Sequence, residues 1–282
     1  MREFIKEISD HRFHGYEYGT NLRPTVVLLH GMTSDTNSFH GLIEFLKDDF
    51  HILTLDLPGH GETPPLLTEK DYHFSSLAEK IYSVVQEFTR LPFFLLGHSW
   101  GADLSLHLAA LYPDKIKGMI LLDGGYVFPE HTDLSLKQAL IGWDEYYHST
   151  VFESWDLVKK SYQEYTTKIW DERLDQTVSS NFIKADGKYQ LRANKESLLS
   201  TIKAFYFQPC SSTFHLIHCP VLLIHATLPK KDPSRERGIE AIRKGIGHIR
   251  VVGIPNTKHN PHWDVPELIA SEVMKWKSSL FI

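Results

Sequence analysis

Cysteine is scarce. Cys210 and Cys219 are the two in 282 residues, and they form no Cys-x-x-Cys pair. That excludes a disulfide scaffold and predicts a reducing, cytoplasmic compartment. Long apolar runs are missing as well. No stretch approaches the ~20 residues of a membrane span, and the N-terminal MREFIKEISDHRFHG has no apolar run of signal-peptide length. The expectation is a soluble chain with no membrane partner. Charge of one sign is nowhere concentrated: 30 Lys and Arg against 35 Asp and Glu give −5, with no block to serve as a nucleic-acid surface. There is no Gly-x-Gly-x-x-Gly after a strand and no phosphate loop, so no cofactor is expected. Internal repeats and low-complexity tracts do not occur.

What remains is ordinary globular composition, 42% hydrophobic and 23% charged, enough for one large domain or a domain with an insertion. Short apolar runs alternate with helical periodicity. Val26–Leu29 reads as a strand, and 37–47 as a helix with Phe39, Leu42, Ile43 and Leu46 on one stripe. Ile52–Leu55 is a strand. Ser75 or Ser76 can cap a helix running to about Arg90. A strand at 92–96, a helix from Ser99 to Leu111 and a strand Ile116–Leu122 follow. After a gap come Val221–Ile224, a helix near 234–244, a strand at 249–252 and a last helix near 265–277. This alternation predicts an α/β fold: a mostly parallel sheet with helices on both faces. In such sheets chemistry gathers at the strand carboxyl ends, where His30-Gly31, Asp56, Ser99 and Asp123 all fall.

Residues 126–215 interrupt the alternation. They read as mainly helical and are rich in aromatics, Trp143, Tyr146, Tyr162 and Phe205 among them. The stretch is too long for a loop, and predicts a helical cap inserted into a core made of residues 1–125 and 216–282.

The sharpest motif is Gly97-His98-Ser99-Trp100-Gly101, set where an apolar strand must become a helix. Flanking glycines let backbone segments close in where a Cβ would clash, and the serine is held on a strained bend with its hydroxyl clear of the sheet. This predicts Ser99 as a nucleophile.

Four segments together resemble the α/β-hydrolase superfamily: Val27-Leu28-Leu29-His30-Gly31-Met32, Asp56-Leu57-Pro58-Gly59-His60-Gly61, the Ser99 elbow, and Asn256-Thr257-Lys258-His259-Asn260-Pro261-His262-Trp263 before Pro266-Glu267. The resemblance implies a Ser-His-Asp triad with the histidine in the loop before the last helix. His259 is the implied base, and His262 its competitor three residues on. The acid has two candidate positions. Many members carry Gly-x-x-Asp after the strand that here is Val221–Ile224, but this sequence reads His225-Ala226-Thr227-Leu228-Pro229-Lys230-Lys231-Asp232, without the glycine and with a late aspartate. The other position is the end of the preceding strand, which gives Asp123. Asp123 is preferred and Asp232 is the alternative. The backbone N–H groups of Met32 and Trp100 are the implied oxyanion donors. Candidate substrate contacts are His30, Gly31, His98, Trp143 and His262. The pairs His215/His218 and His259/His262 lack a ligand constellation, so no metal is expected.

The expected activity is hydrolysis of a small or medium carboxylic ester through an acyl-enzyme. A lactone, thioester or amide would use the same groups. Rival readings are a carbon–carbon bond hydrolase or lyase on the same scaffold, and a sensor that binds ligand and turns over slowly. The expected partner is the small-molecule substrate, with the chain a monomer or homodimer.

Overall fold

The computed structural model describes residues 1–8 and 10–280. The chain opens with β1 (Arg2–Ile8) and β2 (His11–Tyr18), then β3 (Thr25–Leu29) and α1 (His40–Leu46). Next come β4 (His51–Leu55), α2 (Phe74–Gln86), β5 (Phe93–His98), α3 (Trp100–Leu111) and β6 (Ile116–Leu122). The middle of the chain holds α4 (Leu136–Ser149), β7 (Val151–Phe152), α5 (Trp155–Tyr162), α6 (Glu172–Ser179), β8 (Phe182–Ala185), β9 (Lys188–Leu191) and α7 (Lys195–Phe207). Then β10 (Val221–Ala226), α8 (Pro233–Gly245), β11 (Ile249–Ile254), α9 (Pro261–Asp264) and α10 (Pro266–Ser279) close it.

Among the described residues, eight strands make one sheet in the order β1-β2-β4-β3-β5-β6-β10-β11. From β4 to β11 every pairing is parallel; only β1–β2 and β2–β4 are antiparallel. The near-continuous apolar strands follow from burial on both faces. Val27, Leu29, Leu95, Met119 and Leu121 point to the side packed by α2 and α3. Their neighbours Val26, Leu28, Phe94, Leu96 and Ile120 point to the other side, against Leu42, Leu46, Val273 and Trp276 of α1 and α10. Each such side chain contributes roughly 1.5–3 kcal/mol of burial. Strand order reverses at β3: the chain moves from β3 out to β4, then returns to place β5 on the other side. A crevice opens above such a switch point, bordered by the residues that follow β3 and β5.

The structure corrects one expectation, the cap of the second helix, and adds two elements. The β1–β2 hairpin lies before the first strand the sequence reveals. It is an edge element, and β1 buries one residue, Phe4. The helix α2 starts at Phe74 without a side-chain cap, and the N–H of Ser75 donates to Gln208 Oε1 at 3.1 Å. Residues 126–215 hold α4, α5, α6 and α7, and beside them a three-stranded antiparallel sheet of β7, β9 and β8 that the sequence did not reveal. Its hairpin turns at Asp186-Gly187, both in the left-handed region (φ 51° and 79°). Val158, Tyr162, Leu174, Val178, Phe182 and Leu191 form a separate apolar cluster there, joined by Trp263 from the C-terminal part. Among the described residues, no helix is long and apolar enough to cross a membrane.

Candidate active site

Ser99 sits between β5 and α3 with φ 52° and ψ −121°. A non-glycine residue in that region stores about 1–3 kcal/mol of strain, which persists only where the surroundings hold it. Here its N–H donates to Leu122 O at 3.0 Å and its carbonyl accepts from Ala102 N–H at 2.8 Å. A Cβ at Gly97 would meet the carbonyl of Gly101, and one at Gly101 would meet the carbonyl of Leu29. The two glycines are therefore packing requirements of the bend. Trp100 is the first residue of α3, and N–H groups of a first helical turn have no partner inside the helix.

His259 lies between β11 and α9. Its Nε2 is 3.0 Å from Ser99 Oγ, and its Nδ1 is 2.8 Å from Asp123 Oδ2. Since a carboxylate accepts, Nδ1–H is the donor and Nε2 is left to accept the serine proton. Asp123 directly follows β6 with φ 46°, its N–H donating to Ile224 O at 2.8 Å. Its other oxygen, Oδ1, accepts from Ala226 N–H at 2.9 Å and Tyr126 OH at 3.0 Å. Burial alone would raise this carboxyl's pKa, but the bonds from His259, Ala226 and Tyr126 outweigh it and hold the pKa below the ordinary carboxylate value. Asp232, the alternative acid, is the N-cap of α8 and accepts from Ser234 N–H at 3.0 Å and Arg235 N–H at 3.1 Å.

The other histidines divide by position. His98 donates from Nε2 to His259 O at 2.9 Å. His262 is buried, with Nε2 bonded to Ser38 Oγ at 2.9 Å, and burial followed by the nearby His259 pushes its pKa down to about 3. His30 donates from Nδ1 to Gly31 O at 2.8 Å and accepts at Nε2 from Leu57 N–H at 2.9 Å. It is a tie between the ends of β3 and β4.

A cavity of about 800 Å³ opens over Ser99 and His259. Gly31, Met32, His98, Trp100 and Trp143 line it; His30 and His262 do not. Those two rings lie beneath the wall, His30 bonded to main chain and His262 buried against the Ser38 side chain. Asp56 is also absent from the cavity wall. Its carboxylate bonds His14 Nδ1 at 2.7 Å and accepts from Thr36 N–H at 3.0 Å and Glu62 N–H at 2.9 Å, so it organises the loops beside the site.

The family described as alpha/beta hydrolase fold matches residues 24–266. The chain belongs to the α/β hydrolase fold family. It is similar to a serine hydrolase-like protein of Mus musculus, at 30% identity over 117 residues, 42% of this chain and 38% of that one. It is also similar to Epoxide hydrolase 4 of Homo sapiens, at 27% over 112 residues, 40% of this chain and 31% of that one. The chain thus spans well under half the length of these curated relatives. Among solved structures, E-2-(acetamidomethylene)succinate hydrolase aligns with a TM-score of 0.80 at 20% identity, covering 98% of this chain and 99% of that one. At that identity the likeness is one of fold.

Two residues of this α/β hydrolase fold chain that the sequence reading missed stand at the site. Tyr126 donates to Asp123, and its place three residues after that aspartate was the available signal. Asp103 lines the cavity. It lies in the first turn of α3, which Ser99 precedes.

Proposed function

We propose that the protein is a serine hydrolase that cleaves a small or medium carboxylic ester through an acyl-enzyme. The observation that carries this reading is the continuous chain of hydrogen bonds Ser99–His259–Asp123, opening on a cavity. A serine hydroxyl is a weak nucleophile without a base in reach. His259 Nε2 takes the Oγ proton as Oγ bonds to the substrate carbonyl carbon. The carbonyl oxygen becomes an oxyanion held by the N–H groups of Met32 and Trp100; each such donor contributes about 3 kcal/mol to the transition state. The leaving alcohol departs with the proton from His259. Water then repeats the sequence on the acyl-enzyme. Asp123 fixes the imidazole tautomer and stabilises the imidazolium.

Residues 126–215 act in this reading as a cap: Tyr126, Trp143, Tyr146, Tyr162 and Phe205 from that stretch line the cavity, and aromatic walls suit an apolar acyl or alcohol part. An epoxide or haloalkane would call for a carboxylate nucleophile, and position 99 is serine. The test is a panel of p-nitrophenyl esters, lactones and amides with product analysis, the Ser99→Ala protein serving as blank. Ester turnover lost in the blank supports the proposal. Turnover confined to carbon–carbon cleavage, or none on any substrate class, contradicts it.

A further inference from the structure

Gly31 lies against the proposed nucleophile: a Cβ there would stand 3.0 Å from that of Ser99. Its carbonyl accepts from His30 Nδ1–H at 2.8 Å and from Ser34 N–H at 3.3 Å. A trans peptide points its N–H away from its C=O. The N–H of Met32 is therefore turned away from the His30 ring, and Met32 lines the cavity. The segment continues as one hydrogen-bonded unit. Asp35 Oδ1 accepts from Asn37 N–H at 2.8 Å, the Asp35 carbonyl accepts from Ser38 N–H at 3.1 Å, and Thr36 N–H donates to Asp56 Oδ1 at 3.0 Å. Residues 31–38 are thus braced together, with Met32 near one end and Ser38 at the other.

The base stands on a second unit. The carbonyl of Asn260, next to His259, accepts from Trp263 N–H at 2.9 Å and from Asp264 N–H at 3.3 Å, which folds α9 directly after the base. His262 and Trp263 are buried there, so the polar atoms of both rings need partners inside the protein.

Among the described residues, the hydrogen bonds that join these two units both end on one atom. Ser38 Oγ is 2.9 Å from His262 Nε2 and accepts from Trp263 Nε1–H at 3.1 Å. Ser38 is 2% exposed, so water does not compete for either bond. An indole N–H can only donate. A hydroxyl accepts it and still has its own proton and a second lone pair for the imidazole. The Phe39 ring packs on His262 with centroids 5.4 Å apart. Packing of that kind holds the units together without fixing their angle, whereas two converging hydrogen bonds are directional.

We propose that Ser38 is a positioning residue that keeps the Met32 N–H and the base His259 in register over Ser99. The inference rests on the serine-hydrolase reading, and its test separates the two. Steady-state kinetics on a p-nitrophenyl ester compares the unaltered protein with Ser38→Ala and with Trp263→Phe, which removes the N–H and keeps an aromatic ring. Ser38→Ala lowers kcat about tenfold with KM within about twofold. It raises by a similar factor the Ki of a trifluoromethyl ketone, which forms a tetrahedral oxyanion adduct on serine. Trp263→Phe gives a smaller loss of kcat, about threefold, and the double variant loses no more than Ser38→Ala, because the two groups share one bond. Should Ser38→Ala not fold, Trp263→Phe carries the same kcat and Ki comparison alone. An unchanged kcat, a loss confined to KM or to stability, or single losses that multiply in the double variant overturns the proposal and leaves the hydrolase reading standing. If the unaltered protein turns over no ester, the hydrolase reading fails, and the rate of fluorophosphonate labelling at Ser99 decides for Ser38. Slower labelling of Ser38→Ala supports its positioning role; equal rates, or no labelling of either protein, remove it.

Discussion

His98 donates from Nε2 to the main-chain carbonyl of His259 at 2.9 Å, so the residue before the proposed nucleophile holds the loop that carries the proposed base. Its ring also packs against His259 and His262, with centroids 5.0 and 4.5 Å away. Burial first, then the nearby His262 and His259, keeps its pKa well below the ordinary histidine value, so the ring stays neutral and Nε2–H remains the donor. Replacing His98 by phenylalanine keeps the ring and removes the tie. Loss of a buried bond of ~1–3 kcal/mol predicts a fall of roughly 5- to 100-fold in kcat, with KM little changed. Steady-state kinetics on a p-nitrophenyl ester checks this; an unchanged kcat would mean that the loop needs no such support.

The two candidate acids give opposite forecasts. Asp123→Asn leaves the shape intact but removes the acceptor that fixes His259 Nδ1–H, and kcat drops by about 10⁴. Asp232→Asn exchanges one good N-cap for another, so activity and melting temperature both stay near those of the unaltered protein. Kinetics on both variants decides, and the reverse order moves the acid role to Asp232.

Gly101 and Gly142 form a matched pair. A Cβ at Gly101 meets the Leu29 carbonyl, whereas one at Gly142, in α4, meets nothing within 4 Å. Gly101→Ala therefore costs at least ~2 kcal/mol of stability by overpacking β3 against α3. Gly142→Ala gains ~0.5–1 kcal/mol through helix propensity. Urea unfolding of the two variants measures both signs. A Gly101→Ala protein as stable as the parent would contradict the packing account of the elbow.

Acid should unfold the protein steeply. His30, His60, His98, His107 and His262 all have lowered pKa values, with burial the largest cause at each. His60 and His262 reach about 3, and His107 about 4. Between those values and the unfolded value near 6.5, the unfolded chain binds protons that the folded chain refuses, so stability falls as pH falls through that window. At pH 4.5, His60 and His262 each account for a loss on the order of 2 kcal/mol. Asp103 acts in the opposite direction. Its raised pKa makes folding harder as pH rises from about 4 to 8, because the unfolded carboxyl has already ionised. Unfolding free energies at pH 4.5 and pH 7 test the histidine contribution; a flat profile would mean the rings reach water.

The parallel part of the sheet and the elbow were legible in the sequence because both are written in adjacent residues. Apolar strands buried on two faces stand out as runs, and Gly97 and Gly101 mark a bend that tolerates no Cβ. The β1–β2 hairpin was not legible, since an edge element with one buried residue in β1 carries little apolar signal. The small sheet β7-β9-β8 was hidden by strands of two and four residues, although Asp186-Gly187 is a hairpin signal that could have exposed it. At the site, the acid stayed ambiguous because Asp123 and Asp232 both follow strands. Only the third dimension separates a carboxylate against His259 from one that caps a helix. His30, His262 and Asp56 lie at or near the site in sequence yet bond backbone and side chains beneath it, and burial of that kind has no local signature.

The central claim is that Ser99 is an activated nucleophile. Intact-mass analysis after reaction with a fluorophosphonate, followed by peptide mapping, tests it most directly. The account predicts one adduct per chain on Ser99, absent in Ser99→Ala and formed at least ~100-fold more slowly in His259→Ala than in His262→Ala. No adduct on the unaltered protein, or labelling of Ser99→Ala at an undiminished rate, would contradict it.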